Sequence, residues 1–212
     1  KMKPQDIPIL MYHDISQAKN PWCVSPQSFE QQISYLYKQG YKTISLSQLH
    51  TILSQRETKE KYVVITFDDA RKGVFTSAFP VLRKYNYTAA VFVVPLWIEG
   101  KAPEPERYTQ FMSWEELSTL NAAGWEIGNH TNTHQKLTEL SSEQVQSDIN
   151  LANELLRKKL FVVPKHIAYP FGTYSAKTIE DIKSTFLTAV TTRRGFDIDE
   201  SQKKRLLEGL DK

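Results

Sequence analysis

The chain has 212 residues and a mass of 24.5 kDa, the size of one domain or at most two small ones. With 40% apolar and 24% charged residues and a mean hydropathy of −0.46, it is neither disordered nor collagenous, and no run approaches the ~18 apolar residues that a membrane span needs. Lys and Arg number 27 against 24 Asp and Glu, and an excess of +3 is too slight for a nucleic-acid surface.

In chain order, a first apolar strand is expected at 7–12. Ser25-Pro26 then reads as the N-cap and first residue of a helix. Phe29, Ile33, Leu36 and Tyr37 follow at helical spacing, and Gly40 stops it. A strand at 41–46 and a short helix at 47–55 come next. A strand is expected at 62–67, continuously apolar over 62–65, and Phe75, Phe79, Leu82 and Arg83 mark a helix before a strand at 88–94, continuously apolar over 89–94. Ser113-Trp114-Glu115-Glu116 is a capping box, opening a helix that ends at Gly124. A strand at 125–128 precedes the longest helix, 141–160, whose Arg157-Lys158-Lys159 reads as a solvated face, like Lys203-Lys204-Arg205 farther on. The pattern closes with a strand at 166–169, a helix at 175–184 and a strand at 188–191.

Strands that are apolar without a break are buried on both faces, as in a parallel sheet covered by helices. Alternating strands and helices predict an α/β fold. Seven strands in so short a chain predict one domain over 1–212, a closed or nearly closed barrel. In such barrels chemistry sits at the C-terminal ends of the strands. A functional polar residue should therefore directly follow a strand.

Asp68 and Asp69 follow the strand at 62–67. Adjacent buried carboxylates repel and lose solvation unless a cation sits beside them; a solvated surface turn reads equally from the dipeptide alone. His130 and His134 follow the strand at 125–128. Their i, i+4 spacing predicts two imidazoles on one side of a helical turn, and neutral imidazole is a common ligand for divalent metals. Two His and one carboxylate form a set that leaves coordination positions open. Pro170-Phe171-Gly172 follows the strand at 166–169, where a tight turn can aim backbone N–H groups at an anionic centre. His13 follows the first strand and by itself reads as a capping or core residue. His50 and His166 fail the test of position and are assigned to structure. The lone Cys23 reads as a small buried apolar residue. Asn86-Tyr87-Thr88 and Asn129-His130-Thr131 form glycosylation sequons by coincidence.

Thr66-Phe67-Asp68-Asp69, His130-Thr131-Asn132-Thr133-His134 and Tyr169-Pro170-Phe171-Gly172 together resemble, in order and spacing, the first three motifs of the polysaccharide deacetylases, the NodB-homology family. The resemblance covers nearly the whole chain. It implies a distorted (β/α)7 barrel and metal-dependent removal of N- or O-acetyl groups from sugars. Carried over, Asp69, His130 and His134 bind one divalent metal. Zinc is the default, and cobalt, nickel or iron fit the same ligands. Asp68 is the general base and the N–H of Phe171 helps to hold the oxyanion, with Tyr169 and Pro170 beside the substrate.

Three departures stand out. The usual Gly after the Asp pair is Ala70. The Arg that opens the third motif and pairs with the base is Ala168. No histidine follows Gly172 to supply the family's last motif, whereas Ile9-Leu10-Met11-Tyr12-His13-Asp14 stands at the start. This is similar to the branch acting on poly-N-acetylglucosamine, where that element is permuted to the N-terminus, and it makes His13 the expected general acid.

The resemblance thus implies a sugar N-deacetylase, acting outside the cell or at its surface as a monomer, with an acetylated polysaccharide as partner and no nucleic acid. The first residues, Lys1-Met2-Lys3-Pro4, contain no apolar signal-peptide stretch. The alternatives are another sugar amide or O-acetyl ester hydrolase on the same site, or an inactive glycan-binding homologue. Trp97, Tyr108, Phe111 and Trp114 flank a loop at 99–110 and are candidates to line a glycan groove, Trp114 foremost.

Overall fold

The structure, a computed structural model, describes residues 3–55, 57–106 and 109–193. Its first half runs β1 (Ile9–Tyr12), β2 (Asp14–Ile15), β3 (Cys23–Val24), α1 (Pro26–Lys38), β4 (Tyr41–Thr43), α2 (Leu46–Ile52), β5 (Lys61–Phe67) and α3 (Phe79–Lys84). Then come β6 (Ala90–Val93), α4 (Pro95–Ile98), α5 (Trp114–Ala122), β7 (Glu126–Asn129), α6 (Ser142–Leu160), β8 (His166–Ala168), α7 (Ala176–Ile182) and β9 (Thr188–Val190). Tyr108 and the basic run at 203–205 lie outside the described residues.

All seven expected strands are present and pair in parallel, in the order β1-β5-β6-β7-β8-β9, with β4 joined to the start of β5. Among the described residues no ladder joins β9 to β1, so the curled sheet forms a distorted barrel open on that side. The short β2 and β3 were not expected; they pair with each other just beyond β1.

Alternation along β5 shows how the core divides. Val63, Ile65 and Phe67 pack outward on Phe29 and Ile33 of α1, Leu82 of α3 and Leu117 and Leu120 of α5. Val64 packs the other way, on Ile44, Leu46, Phe92 and Ala168. A third cluster joins α6 and α7 through Ile149, Ile167, Tyr169 and Ile182. Ser25, Ser45, Ser113, Ser141 and Ser175 each cap a helix, accepting from the backbone N–H three residues on. The helix expected around Phe75 begins as a π-helical stretch, Val74–Ala78, before α3. Cys23 is half-buried rather than apolar core, with Sγ 3.4 Å from Ser16 Oγ and 3.7 Å from Asp14 Oδ2.

At the opposite end from the expected site, Glu126 ties three elements together. Its carboxylate accepts from Leu46 N–H at 2.8 Å and Ser47 N–H at 3.2 Å, at the start of α2. Buried His166 lies 3.3 Å from Glu126, 2.9 Å from Ser47 Oγ and 2.7 Å from Thr188 Oγ1. Burial alone would raise the Glu126 pKa, but hydrogen bonds from His166 and Ser47 outweigh it and hold the carboxyl at about 2. The unfolded chain therefore takes up this proton first. The stabilisation is complete above about pH 5 and lost as pH falls towards about 2. Glu126→Gln should cost about 2–3 kcal/mol at neutral pH and flatten the loss of stability between those limits. Urea midpoints measured across that range check it.

Candidate active site

The site assembles from strand ends. Met11 pairs with Thr66 and Tyr12 with Phe67, and Asp68 N–H extends the ladder to Tyr12 O at 2.9 Å. His13 therefore lies opposite Asp68. The Tyr12 and Phe67 rings stack in the outer core, 5.5 Å apart. By alternation His13 and Asp68 turn the other way, towards the mouth of the barrel. After β5 the backbone turns through two left-handed residues, Asp69 at φ 70° and Ala70 at φ 54°. The family's glycine position is thus one that needs positive φ, and Ala70 occupies it at a cost of about 1–2 kcal/mol.

His130 and His134 do meet, but not on a helical turn. The segment after β7 is a loop in which Thr131 (φ 63°) and His134 (φ 58°) are left-handed. Buried Asn129 accepts from Thr131 N–H at 2.6 Å, and Thr131 Oγ1 accepts from His134 N–H at 2.9 Å. Asp148, on α6, accepts from Asn132 N–H at 2.9 Å and from Thr133 Oγ1 at 2.9 Å. These bonds hold both imidazoles beside Asp69. Its Oδ1 is 3.5 Å from His130 Nε2 and 3.6 Å from His134 Nε2.

One ligand atom from each of Asp69, His130 and His134 lies within 4.8 Å of the other two. Three observations show that this trio suits a divalent metal. Asp69 Oδ1 is buried with no hydrogen-bond partner. His130 Nδ1 donates to Ala168 O at 2.8 Å, since a carbonyl can only accept, which turns Nε2 towards Asp69 as the ring nitrogen available to a metal. Burial, and then the neighbouring His130, push the His134 pKa down to about 3 against the pull of Asp69, so this imidazole is neutral. A buried, unpartnered carboxylate oxygen facing two imidazole Nε2 atoms is a ligand set short of its cation.

Arg71, which the sequence reading passed over, closes the other side of Asp69. Its Nε and Nη2 donate to Asp69 Oδ2 at 3.2 and 2.9 Å. Its remaining donors reach Glu106 and Thr109, and its guanidinium lies over Trp97 and Phe111. Arg71 leaves only Oδ1 for a metal. The two carboxylates are consequently driven apart. Burial, only partly offset by His130 and His13, raises Asp68 above the usual carboxylate range. Burial would raise Asp69 too, but His130, Arg71 and His134 hold it below. Asp69 stays an anion while Asp68 is the more basic group, the division that an acid–base site needs.

The remaining candidates separate. Phe171 sits in a left-handed turn (φ 57°) with its ring 4.7 Å from His134. Pro170 is buried beside it. The Tyr169 side chain is in the core, stacked on Tyr174, so it supports this turn from beneath rather than facing the mouth. Trp114 is committed elsewhere: its N–H donates to Glu99 at 2.7 Å and Lys159 covers its ring. The indole at the trio is Trp97, 4.7 Å from His134 and almost fully buried.

An Asp-His-His trio with a second carboxylate, at the mouth of a parallel barrel, defines a hydrolase-type centre. The polysaccharide deacetylase family profile matches residues 55–190, and the chain belongs to that family. YxkH of Bacillus subtilis (strain 168), which carries the family's name, is 31% identical over 195 residues, 91% of this chain and 67% of its own length. The poly-beta-1,6-N-acetyl-D-glucosamine N-deacetylase of Staphylococcus aureus (strain MSSA476) is 27% identical over 202 residues, 91% of this chain and 66% of its own length. The chain thus spans about two thirds of these curated relatives. The solved Streptococcus pyogenes deacetylase PplD, in complex with acetate, superposes with a TM-score of 0.79 at 27% identity, covering 89% of this chain and 84% of that one.

Proposed function

We propose that the chain is a metal-dependent N-deacetylase of an N-acetylglucosamine polymer, poly-N-acetylglucosamine foremost. The observation that carries this is the unpartnered Asp69 Oδ1 facing two free imidazole nitrogens, with the more basic Asp68 beside it. The Staphylococcus aureus relative supports the polymer, and His13, directly after the first strand, supports the same branch. Asp69, His130 and His134 hold the metal, zinc by ligand type. A bound divalent ion supplies Lewis acidity to the acetyl carbonyl and to water. Asp68 accepts the proton of the attacking water. The Phe171 N–H donates to the developing oxyanion. His13 delivers a proton to the departing nitrogen, since an amine leaves poorly unless protonated. By the same resemblance the enzyme works as a monomer outside the cell or at its surface, on glycan rather than nucleic acid.

The test is acetate release from N-acetylglucosamine oligomers, peptidoglycan fragments and acetylxylan. Release should be greatest from the N-acetylglucosamine oligomers, vanish on chelation and return with zinc. Full activity in a rigorously metal-free preparation overturns the metal role, and preference for acetylxylan makes the chain an ester hydrolase.

A further inference from the structure

Most large aromatic side chains at the barrel mouth are buried or committed, as Trp97 and Trp114 are. Among the described residues, two exposed rings touch a histidine of the site. Trp22 is 59% exposed, and its ring centroid is 5.0 Å from that of His13. Phe171 is 57% exposed and 4.7 Å from His134, with Lys136 Nζ 5.8 Å from its ring centre. The strand order places them apart. Trp22 hangs from the β2–β3 turn beyond β1, and Phe171 from the end of β8, with β5, β6 and β7 between. In strand order the two rings therefore lie at the ends of the row β1-β5-β6-β7-β8 whose strand ends carry Asp68, Asp69, His130 and His134.

The backbone of Trp22 is also fixed in place. Its main-chain N–H donates to Asn20 Oδ1 at 2.9 Å, and its carbonyl accepts from Asp14 N–H at 3.2 Å. Asp14 Oδ1 in turn accepts from Gly73 N–H at 3.1 Å, tying the turn to the loop that follows the Asp pair. A Cβ at Gly73 would lie 2.2 Å from that same oxygen, so the close approach requires glycine. The fold thus anchors the main chain that presents a large, water-exposed apolar face against His13, the residue that protonates the leaving group.

We propose that Trp22 is a stacking platform for a sugar ring next to the one being deacetylated, with Phe171 as the opposing wall. The ligand is an extended chain of acetylated hexosamine rings rather than a single sugar. The C–H faces of a pyranose ring are apolar and electropositive, and they complement the electron-rich indole face. This rests on the deacetylase reading and adds the reach of the substrate beyond the reacting residue.

The experiment compares metal-loaded wild type, Trp22→Ala and Trp22→Tyr on an N-acetylglucosamine pentamer and on 4-nitrophenyl acetate, whose leaving group needs no platform and no proton. Trp22→Ala should raise KM for the pentamer about 10-fold, leave kcat/KM on the ester within about twofold, and be largely rescued by Trp22→Tyr. Pentamer affinity measured calorimetrically should fall in parallel, whether or not the protein turns over. An unchanged pentamer KM and affinity overturns the platform. So does an equal loss on both substrates, which assigns Trp22 to holding His13. If the wild type binds the pentamer through Trp22 yet releases no acetate, the platform stands and the deacetylase reading falls.

Discussion

Asp68→Asn is expected to slow acetate release by about 10²–10⁴-fold while leaving metal content and fold intact. The substitution keeps the shape of the side chain and removes its basicity. The 3.5 and 3.6 Å contacts of the trio all run through Asp69 Oδ1, and Asp68 takes no part in them. Asp68 must be ionised to accept a proton, so it sets the acidic limb of the wild-type rate profile. Activity falls with pH through that limb because the base must be ionised. Metal analysis of the purified variant gives the decisive readout. If the Asn protein loses its metal together with its activity, Asp68 is a ligand and the roles of the two carboxylates are exchanged.

His13→Ala should cost a similar factor on an N-acetyl substrate and far less on an activated ester. The reason lies in the leaving groups: an amine needs a proton, whereas a nitrophenolate does not. The register that sets His13 opposite Asp68 leaves no other described histidine at the mouth apart from the two in the trio. The acid must be protonated to act, so it governs the basic limb of the profile. His13→Ala should therefore flatten that limb on the amide while the acidic limb persists. Equal losses on amide and ester would move the role of His13 from proton delivery to structure.

Much of this arrangement was legible in the sequence, for identifiable reasons. The strands announce themselves because a two-sided burial leaves no polar position in runs such as 62–65 and 89–94. The serine caps are local and read directly. What escaped depends on contacts between distant segments. Asp148 sits in the apolar stripe of α6 between Val145 and Ile149, and only the fold reveals that it receives the N–H groups of the His130–His134 loop. Arg71 looks like part of a surface turn until Glu106 and Thr109 come round to it from 35 and 38 residues away. The i, i+4 spacing of the histidines does not distinguish a helical turn from a loop with two left-handed residues. Trp114 read as a groove residue because neighbours in sequence cannot show that Glu99 and Lys159 already occupy it. Trp22 drew no notice because an isolated aromatic in a turn has no period to mark it.

The bond from His130 to the carbonyl of Ala168 bears on how the protein tolerates change. That acceptor belongs to the main chain and is supplied by whatever amino acid stands there. Side-chain scanning at buried Ala168 will report packing against Val64 and Phe92, although it is the main-chain oxygen that fixes which nitrogen of His130 is free. Only a change that shifts β8 itself, whose next residue donates to Val190 O at 3.0 Å, exposes the dependence. What limits position 168 is therefore core packing rather than the bond to His130, and amino-acid identity there is a poor guide to whether the centre is intact.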